Sequence, residues 1–280
     1  LEAGPYTAQD ALARKLIDQL GQVREAQDAA LKAAGEDAKL VEMSDYLQRG
    51  AHGPRRGPAI AVISAEGAII TGSGGTDNPL TGENNIYSDE VADAFYKAID
   101  DDEVKAIVFR VNSPGGSDTA SEQILAALKA ARAAGKPVVV SMGTYAASGG
   151  YWISSGASAI VAEPTTLTGS IGMFAGKFAL GEALARFGVD VRGISVGGDY
   201  ASAFGLGAEM TPAQRAAFKT WIDEAYEDFI TRVADGRRLS PDQVREIARG
   251  RVWTGVQAKE LGLVDEIGGF YQAVARAQAL

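Results

Sequence analysis

Val104-Lys-Ala-Ile-Val-Phe-Arg-Val111 runs into Asn112-Ser-Pro-Gly-Gly-Ser117, a helical pattern from about Thr119 to Ala134, the breaker Gly135-Lys-Pro137, and Val138-Val-Val-Ser-Met142. Two aliphatic, β-branched runs joined by a glycine loop and a helix of this length read as a parallel crossover unit. Working outward, Ala59-Ile-Ala-Val-Ile-Ser64 reads as a buried strand, and residues 67–85 as a loop rich in Gly, Asn and Thr. Ser88 to Asp100 reads as a helix capped by Ser88, with Val91, Phe95 and Ile99 facing inward. Downstream, Thr211-Pro-Ala-Gln214 and Ser240-Pro-Asp-Gln243 are capping boxes with proline at the first helical position. The first starts a helix through Trp221, Ile222, Ala225, Tyr226 and Phe229. The fold class is α/β.

Composition narrows the chemistry. The 280 residues are 46% hydrophobic and 22% charged, which is ordinary for a globular chain with a sizeable core. A net charge of −9 argues against nucleic acid and against a basic membrane-docking face. The absence of cysteine removes disulfides, thiolate catalysis and thiolate metal sites together. The single histidine, His52, lies in the Gly/Pro/Arg-rich stretch of residues 51–58, which reads as a linker. No apolar run reaches membrane-spanning length and no signal peptide is visible.

The chain also echoes itself. Residues 6–21 align without gaps on residues 253–268, with identities at Thr7/Thr254, Ala11/Ala258, Leu16/Leu263, Asp18/Asp265 and Gly21/Gly268. Two similar capped helices would give part of this likeness, and duplication gives all of it. On the second reading, residues 1–50 hold the closing segment of a preceding repeat unit and an amphipathic helical connection. Residues 51–58 are then a linker, and 59–280 form the main domain.

Three loops concentrate small residues. Asn112-Ser-Pro-Gly-Gly-Ser117 can present backbone N–H groups to an oxyanion or a phosphate, or be an ordinary tight turn. Tyr145-Ala-Ala-Ser-Gly-Gly-Tyr151 places Ser148 between a strand and a closely packed helix, as a nucleophile or merely as a cap. Thr166-Leu-Thr-Gly-Ser-Ile-Gly172 sets Thr168 and Ser170 among apolar positions, where a buried hydroxyl must find a partner. With His52 isolated, a nucleophilic Ser148 needs another base, and a desolvated lysine is the common alternative. Of ten lysines, only Lys177 lies just beyond such a loop, and a solvated role suits it better.

Taken together, these segments resemble the signal peptide peptidase (protease IV) family, in its long duplicated form, whose fold is shared with the Clp protease and crotonase-type enzymes. The resemblance rests on Arg110-Val-Asn-Ser-Pro-Gly-Gly-Ser117, Ala146-Ala-Ser-Gly-Gly-Tyr-Trp152, Thr166-Leu-Thr-Gly-Ser-Ile-Gly172, Val252-Trp-Thr-Gly-Val-Gln-Ala258 and Gly262-Leu-Val-Asp265, in one order over about residues 58–275. It implies parallel β-sheets with crossover helices, Ser148 as nucleophile, Ser170 holding a catalytic lysine amine, and oxyanion donors at Gly116 and near Gly149. It also implies a Ser/Lys dyad that needs no cofactor or metal, signal peptides as substrates, a homo-oligomer, and an inner-membrane anchor with the site facing the periplasm.

One departure is large. Short members carry the lysine further along the same chain, but here that region reads Val196-Gly-Gly-Asp-Tyr-Ala201, with no lysine between Lys177 and Lys219. In the long members the first half carries the lysine and the second half the serine, so this sequence is similar to a second half. On that reading the isolated chain is weak or inactive. A crotonase-type acyl-CoA enzyme and a non-catalytic peptide-binding scaffold are the alternatives.

Overall fold

The computed structural model describes residues 6–35, 38–40, 57–74 and 84–280. Most of the 51–58 stretch, including His52, and residues 41–50 lie outside the described residues. The chain divides into two compact units. One comprises residues 21–172 and 229–280, and the other the described residues up to 20 together with 173–228.

The larger unit is built on a seven-stranded sheet. Its main path runs β1 (Ala59–Glu66), β4 (Val104–Ser113), β5 (Val138–Ala147), β6 (Ala159–Ala162) and β9 (Glu266–Ile267), every pair parallel. Helix α3 (Ser88–Asp100) links β3 (Asn85–Tyr87) to β4, and α4 (Asp118–Ala133) crosses from β4 to β5, as the glycine loop and helix-breaking Gly135 require. Side chains of β4 alternate between two covered faces. Ala106 and Val108 join Val139, Ala159 and Val161 beneath Ala273 and Ala277 of the C-terminal helix α10 (Phe270–Ala279). On the other face Phe109 meets Phe95 of α3 edge-to-face, with ring centroids 5.0 Å apart. Lys136 ties the layers at one end: its ammonium donates to the carbonyls of Ala98, Ile99 and Asp101 at the close of α3.

Two features of β5 prepare the site. Its first half pairs with β6 through Val139–Ser141, while its last residues, Tyr145–Ala147, pair with the short β7 (Leu167–Gly169). Strand β7 in turn pairs antiparallel with β8 (Val252–Thr254). The sheet therefore forks where β5 runs into Ser148.

Several expectations change in detail. Ala59–Ser64 lies not in the interior of the sheet but at its edge, in a strand extending to Glu66, with Val62, Ser64 and Glu66 exposed. The 67–85 loop contains β2 (Ala68–Ile70), which pairs parallel with β3 (Asn85–Tyr87). Ser88 is the first residue of its helix rather than the cap, and its hydroxyl accepts from Gly72 N–H at 3.3 Å. Strand β5 runs five residues beyond Met142. Helix is described over Val23–Ala34 of the 22–50 segment, and both proline capping boxes form.

The second unit is poorer in regular structure. It holds Gly181–Ala185 as a short helix, a 3-10 turn over Asp199–Ser202, and the start of the long helix Pro212–Arg237. It carries a row of aromatic contacts: Tyr200, Phe204, Phe218 and Trp221 contact one another in sequence, with centroids 5.7–6.2 Å apart.

Candidate active site

Strand β5 ends at Ala147 and the chain turns at once into α5 (Gly149–Ser155), with Ser148 as the hinge. Ser148 has φ 53° and ψ −122°, a backbone conformation that L-residues rarely adopt and that costs on the order of 1–3 kcal/mol. It persists because its surroundings fix it. Its N–H donates to Gly169 O at 2.9 Å, and its carbonyl accepts from Tyr151 and Trp152 N–H, each at 2.9 Å. The side chain is half-buried, and among the described residues the hydroxyl has no hydrogen-bond partner. A strained strand-to-helix turn presenting an uncommitted hydroxyl is the geometry of a nucleophile elbow.

The glycine loop packs directly against this turn. Ser113 Oγ donates to Gly67 O at 2.8 Å and accepts from Gly115 N–H at 3.1 Å, which sets the Pro-Gly-Gly turn. Strand β2 clamps the loop from outside: Ile69 N–H donates to Gly115 O and Ser117 N–H donates to Ile69 O. Between those two bonds, Gly116 N–H has no acceptor among the described residues, and neither does Gly149 N–H.

There is no room for side chains here. A Cβ on Gly115 would lie 2.7 Å from both Gly149 N and Ser148 Cβ, and one on Gly149 would lie 3.1 Å from Gly116 N. A Cβ on Gly150 would lie 2.7 Å from Ser113 O. The paired glycines of both segments are therefore what lets the loop and the turn touch.

The third loop supports the same point. Thr168, fully buried, donates to Ala146 O at 2.7 Å, and Thr166 donates to Gly143 O at 2.8 Å. The buried hydroxyls bind the strand that leads to Ser148. Ser170 follows Gly169, the acceptor of the Ser148 N–H, and it too has a left-handed backbone, at φ 48°. Its own N–H donates to Arg251 O at 2.7 Å, and its half-buried hydroxyl has no partner among the described residues.

Sequence reasoning missed the far side of the turn. Tyr151, three residues after Ser148 and fully buried, donates to Leu263 O at 2.9 Å. Burial raises its phenol pKa; the Arg237 charge opposes this and Asp265 adds to it. Arg237 reaches Asp265 at 2.7 Å and Gly262 O at 3.1 Å, while the Asp265 carboxylate also accepts Ile160 N–H at 2.7 Å. Burial lowers the Arg237 pKa, but Tyr151 and Asp265 outweigh it and leave the guanidinium above its ordinary value. Helix α5 is thus fastened to the closing segment of the unit. The sequence signal nearest to this is Gly262-Leu-Val-Asp265, marked by its repeat at residues 15–18 and by the family resemblance.

No described lysine bonds to Ser148 or Ser170. Lys177 belongs to the other unit, where its ammonium donates to Gly205 O at 2.9 Å. Among the described residues no group of His, Asp and Glu could hold a metal ion.

Residues 130–280, which include Ser148 and Ser170, match the family model of "Peptidase family S49". The chain belongs to this family. S49 members are serine peptidases. The S49 chain is 44% identical over 283 residues to "Protease 4" of Salmonella typhi, covering 99% of this chain and 44% of that protein. It is 42% identical over 260 residues to "Protease 4" of Haemophilus influenzae, covering 90% and 40%. It is also 36% identical over 222 residues to the chloroplastic serine protease SPPA of Arabidopsis thaliana, covering 78% and 32%. It therefore spans less than half the length of these relatives. No described helix is long and apolar enough to cross a membrane.

Proposed function

We propose that this chain supplies the nucleophile of a Ser/Lys peptidase whose lysine comes from a preceding half of the same protein, and that the enzyme degrades cleaved signal peptides. Ser148 Oγ attacks the peptide carbonyl while the external amine takes its proton, and Ser170 holds that amine in place. The oxyanion accepts hydrogen bonds from Gly116 and Gly149 N–H, a contribution of about 3 kcal/mol per donor in comparable sites. The amine then protonates the leaving nitrogen, and water resolves the acyl-enzyme.

The observation that carries this reading is Ser148 itself: strained, and, among the described residues, unbonded through its hydroxyl and set beside two unclaimed N–H groups. Cleaved signal peptides are largely apolar, so they would need an extended apolar groove beside the serine. The proposal includes a homo-oligomer and an inner-membrane anchor outside this chain, with the site facing the periplasm.

The test compares this chain with the full-length natural polypeptide. The isolated chain should hydrolyse apolar peptides at least 100-fold more slowly, as loss of a general base implies. Ser148→Ala should abolish both peptide turnover and fluorophosphonate labelling in the full-length protein. Full activity of the isolated chain would sink the split site and make Lys177 the base to test.

A further inference from the structure

Residues 6–16 and 253–263 share more than sequence. In each, a threonine caps a six-residue helix: Thr7 Oγ1 accepts Asp10 N–H for Ala8–Ala13, and Thr254 Oγ1 accepts Gln257 N–H for Gly255–Glu260. The exit turns match bond for bond. Arg14 N–H to Asp10 O corresponds to Leu261 N–H to Gln257 O, and Lys15 N–H to Leu12 O corresponds to Gly262 N–H to Lys259 O. Leu16 N–H to Ala11 O corresponds to Leu263 N–H to Ala258 O. Even the left-handed residue recurs, with Lys15 at φ 57° where the other copy has Gly262 at φ 77°.

What differs is the surroundings. In the second copy, Asp265 N–H donates to Ile160 O, its carboxylate accepts Ile160 N–H, and Glu266–Ile267 complete the sheet beside β6. Leu263 is 0% exposed and Val264 2%. In the first copy, the equivalent Leu16 and Ile17 are 42% and 38% exposed. Asp18, the counterpart of Asp265, bonds to nothing among the described residues.

We infer that residues 16–21 form a docking edge whose occupant is the outer parallel strand of a preceding α/β unit. Asp18 accepts a backbone N–H of that strand, as Asp265 does from Ile160, and Leu16, Ile17 and Leu20 enter that unit's core. The partner is fixed by the second copy, which shows what this motif sits against. Another molecule of this chain does not fit, because its corresponding strand edge is already taken by its own Glu266–Ile267. The inference rests on the proposal that a lysine-bearing unit precedes this chain, and adds how the two are joined.

Hydrogen exchange on the full-length natural polypeptide tests it. Amides of residues 16–21 should exchange on the order of 100-fold more slowly there than in this chain alone, and Asp18→Ala should remove most of that protection. Asp265→Ala should deprotect residues 264–268 in the same experiment. Equal exchange of residues 16–21 in both proteins would overturn the docking edge, even if activity still required the preceding half. Protection without any gain in peptidase activity would keep the edge and sink the split site. Protection that rises with the concentration of this chain alone would identify a second copy as the occupant, and would also overturn it.

Discussion

Two stretches that adjoin in sequence are built on opposite plans. Around Ser148, residues 143–172 are dense in Gly, Ala, Ser and Thr. The backbones of Gly115 and Gly149 approach closely enough that no Cβ fits, and two serines are held in left-handed conformations. From residue 173 to residue 196 the chain is apolar yet open: Phe174 and Ile194 are each 96% exposed and Val196 92%. Small residues let backbone hydrogen bonds decide every atom's position, so strain can be stored where a nucleophile needs it. Large apolar residues in solvent fix nothing within the chain. On the proposed function, the turn that presents the nucleophile belongs to the first kind of construction.

The largest effect should come from filling the space where backbone meets backbone. Gly116 has φ 156°, and a Cβ there would collide with Ile69 O and lie 2.7 Å from Ile69 N. Neither atom can swing aside as a side-chain tip could. Gly116→Ala should destabilise the larger unit by roughly 3 kcal/mol and cut fluorophosphonate labelling of Ser148 at least 100-fold, read by urea denaturation and labelling kinetics. Gly149→Ala is the milder partner, because its nearest obstacle is the Ser121 hydroxyl at 2.7 Å. Equal tolerance of both would mean that the loop and the turn are not in contact.

A smaller effect of opposite sign is expected at Ser148. Replacing it with glycine removes the cost of the left-handed backbone, so Ser148→Gly should raise stability by about 1 kcal/mol while abolishing labelling. Ser148→Ala keeps the strain and should leave stability near wild type. If the two variants have the same midpoint of unfolding, the turn carries no strain.

Much of this was legible in the sequence. The crossover from Val104 to Met142 follows from its strand, loop, helix and strand pattern, and both proline capping boxes follow because each rests on bonds between residues three apart. Ala59–Ser64 was read as buried because an aliphatic run looks the same at a sheet's edge as at its centre. Only the register with β4, and no strand on the other side among the described residues, tells them apart. The sequence reading ends β5 at Met142, where Gly143 interrupts the aliphatic run; pairing with β7, which reads as loop in sequence, extends it. Ser148 stood out through its small neighbours. Its backbone angles did not, nor did the Gly169 and Arg251 carbonyls that hold the two serines, since main-chain acceptors have no sequence signature. Asp265 could be seen as a repeat of Asp18, but its grip on Ile160 could not.

The smallest expected effect lies in the open stretch, and it sharpens the contrast because it should be close to nothing. A side chain that folding leaves 96% exposed has gained no burial relative to the unfolded chain, so its removal has little to take away. Phe174→Ser should therefore change the stability of this chain by less than about 0.5 kcal/mol in denaturant titrations. The triple change Phe174→Ser, Ile194→Ser and Val196→Ser should behave the same way, while lowering the binding of a hydrophobic dye. A loss above about 1 kcal/mol from Phe174→Ser alone would show that this ring is packed in solution. The division between a rigid serine-bearing turn and an open apolar stretch would then have to be redrawn.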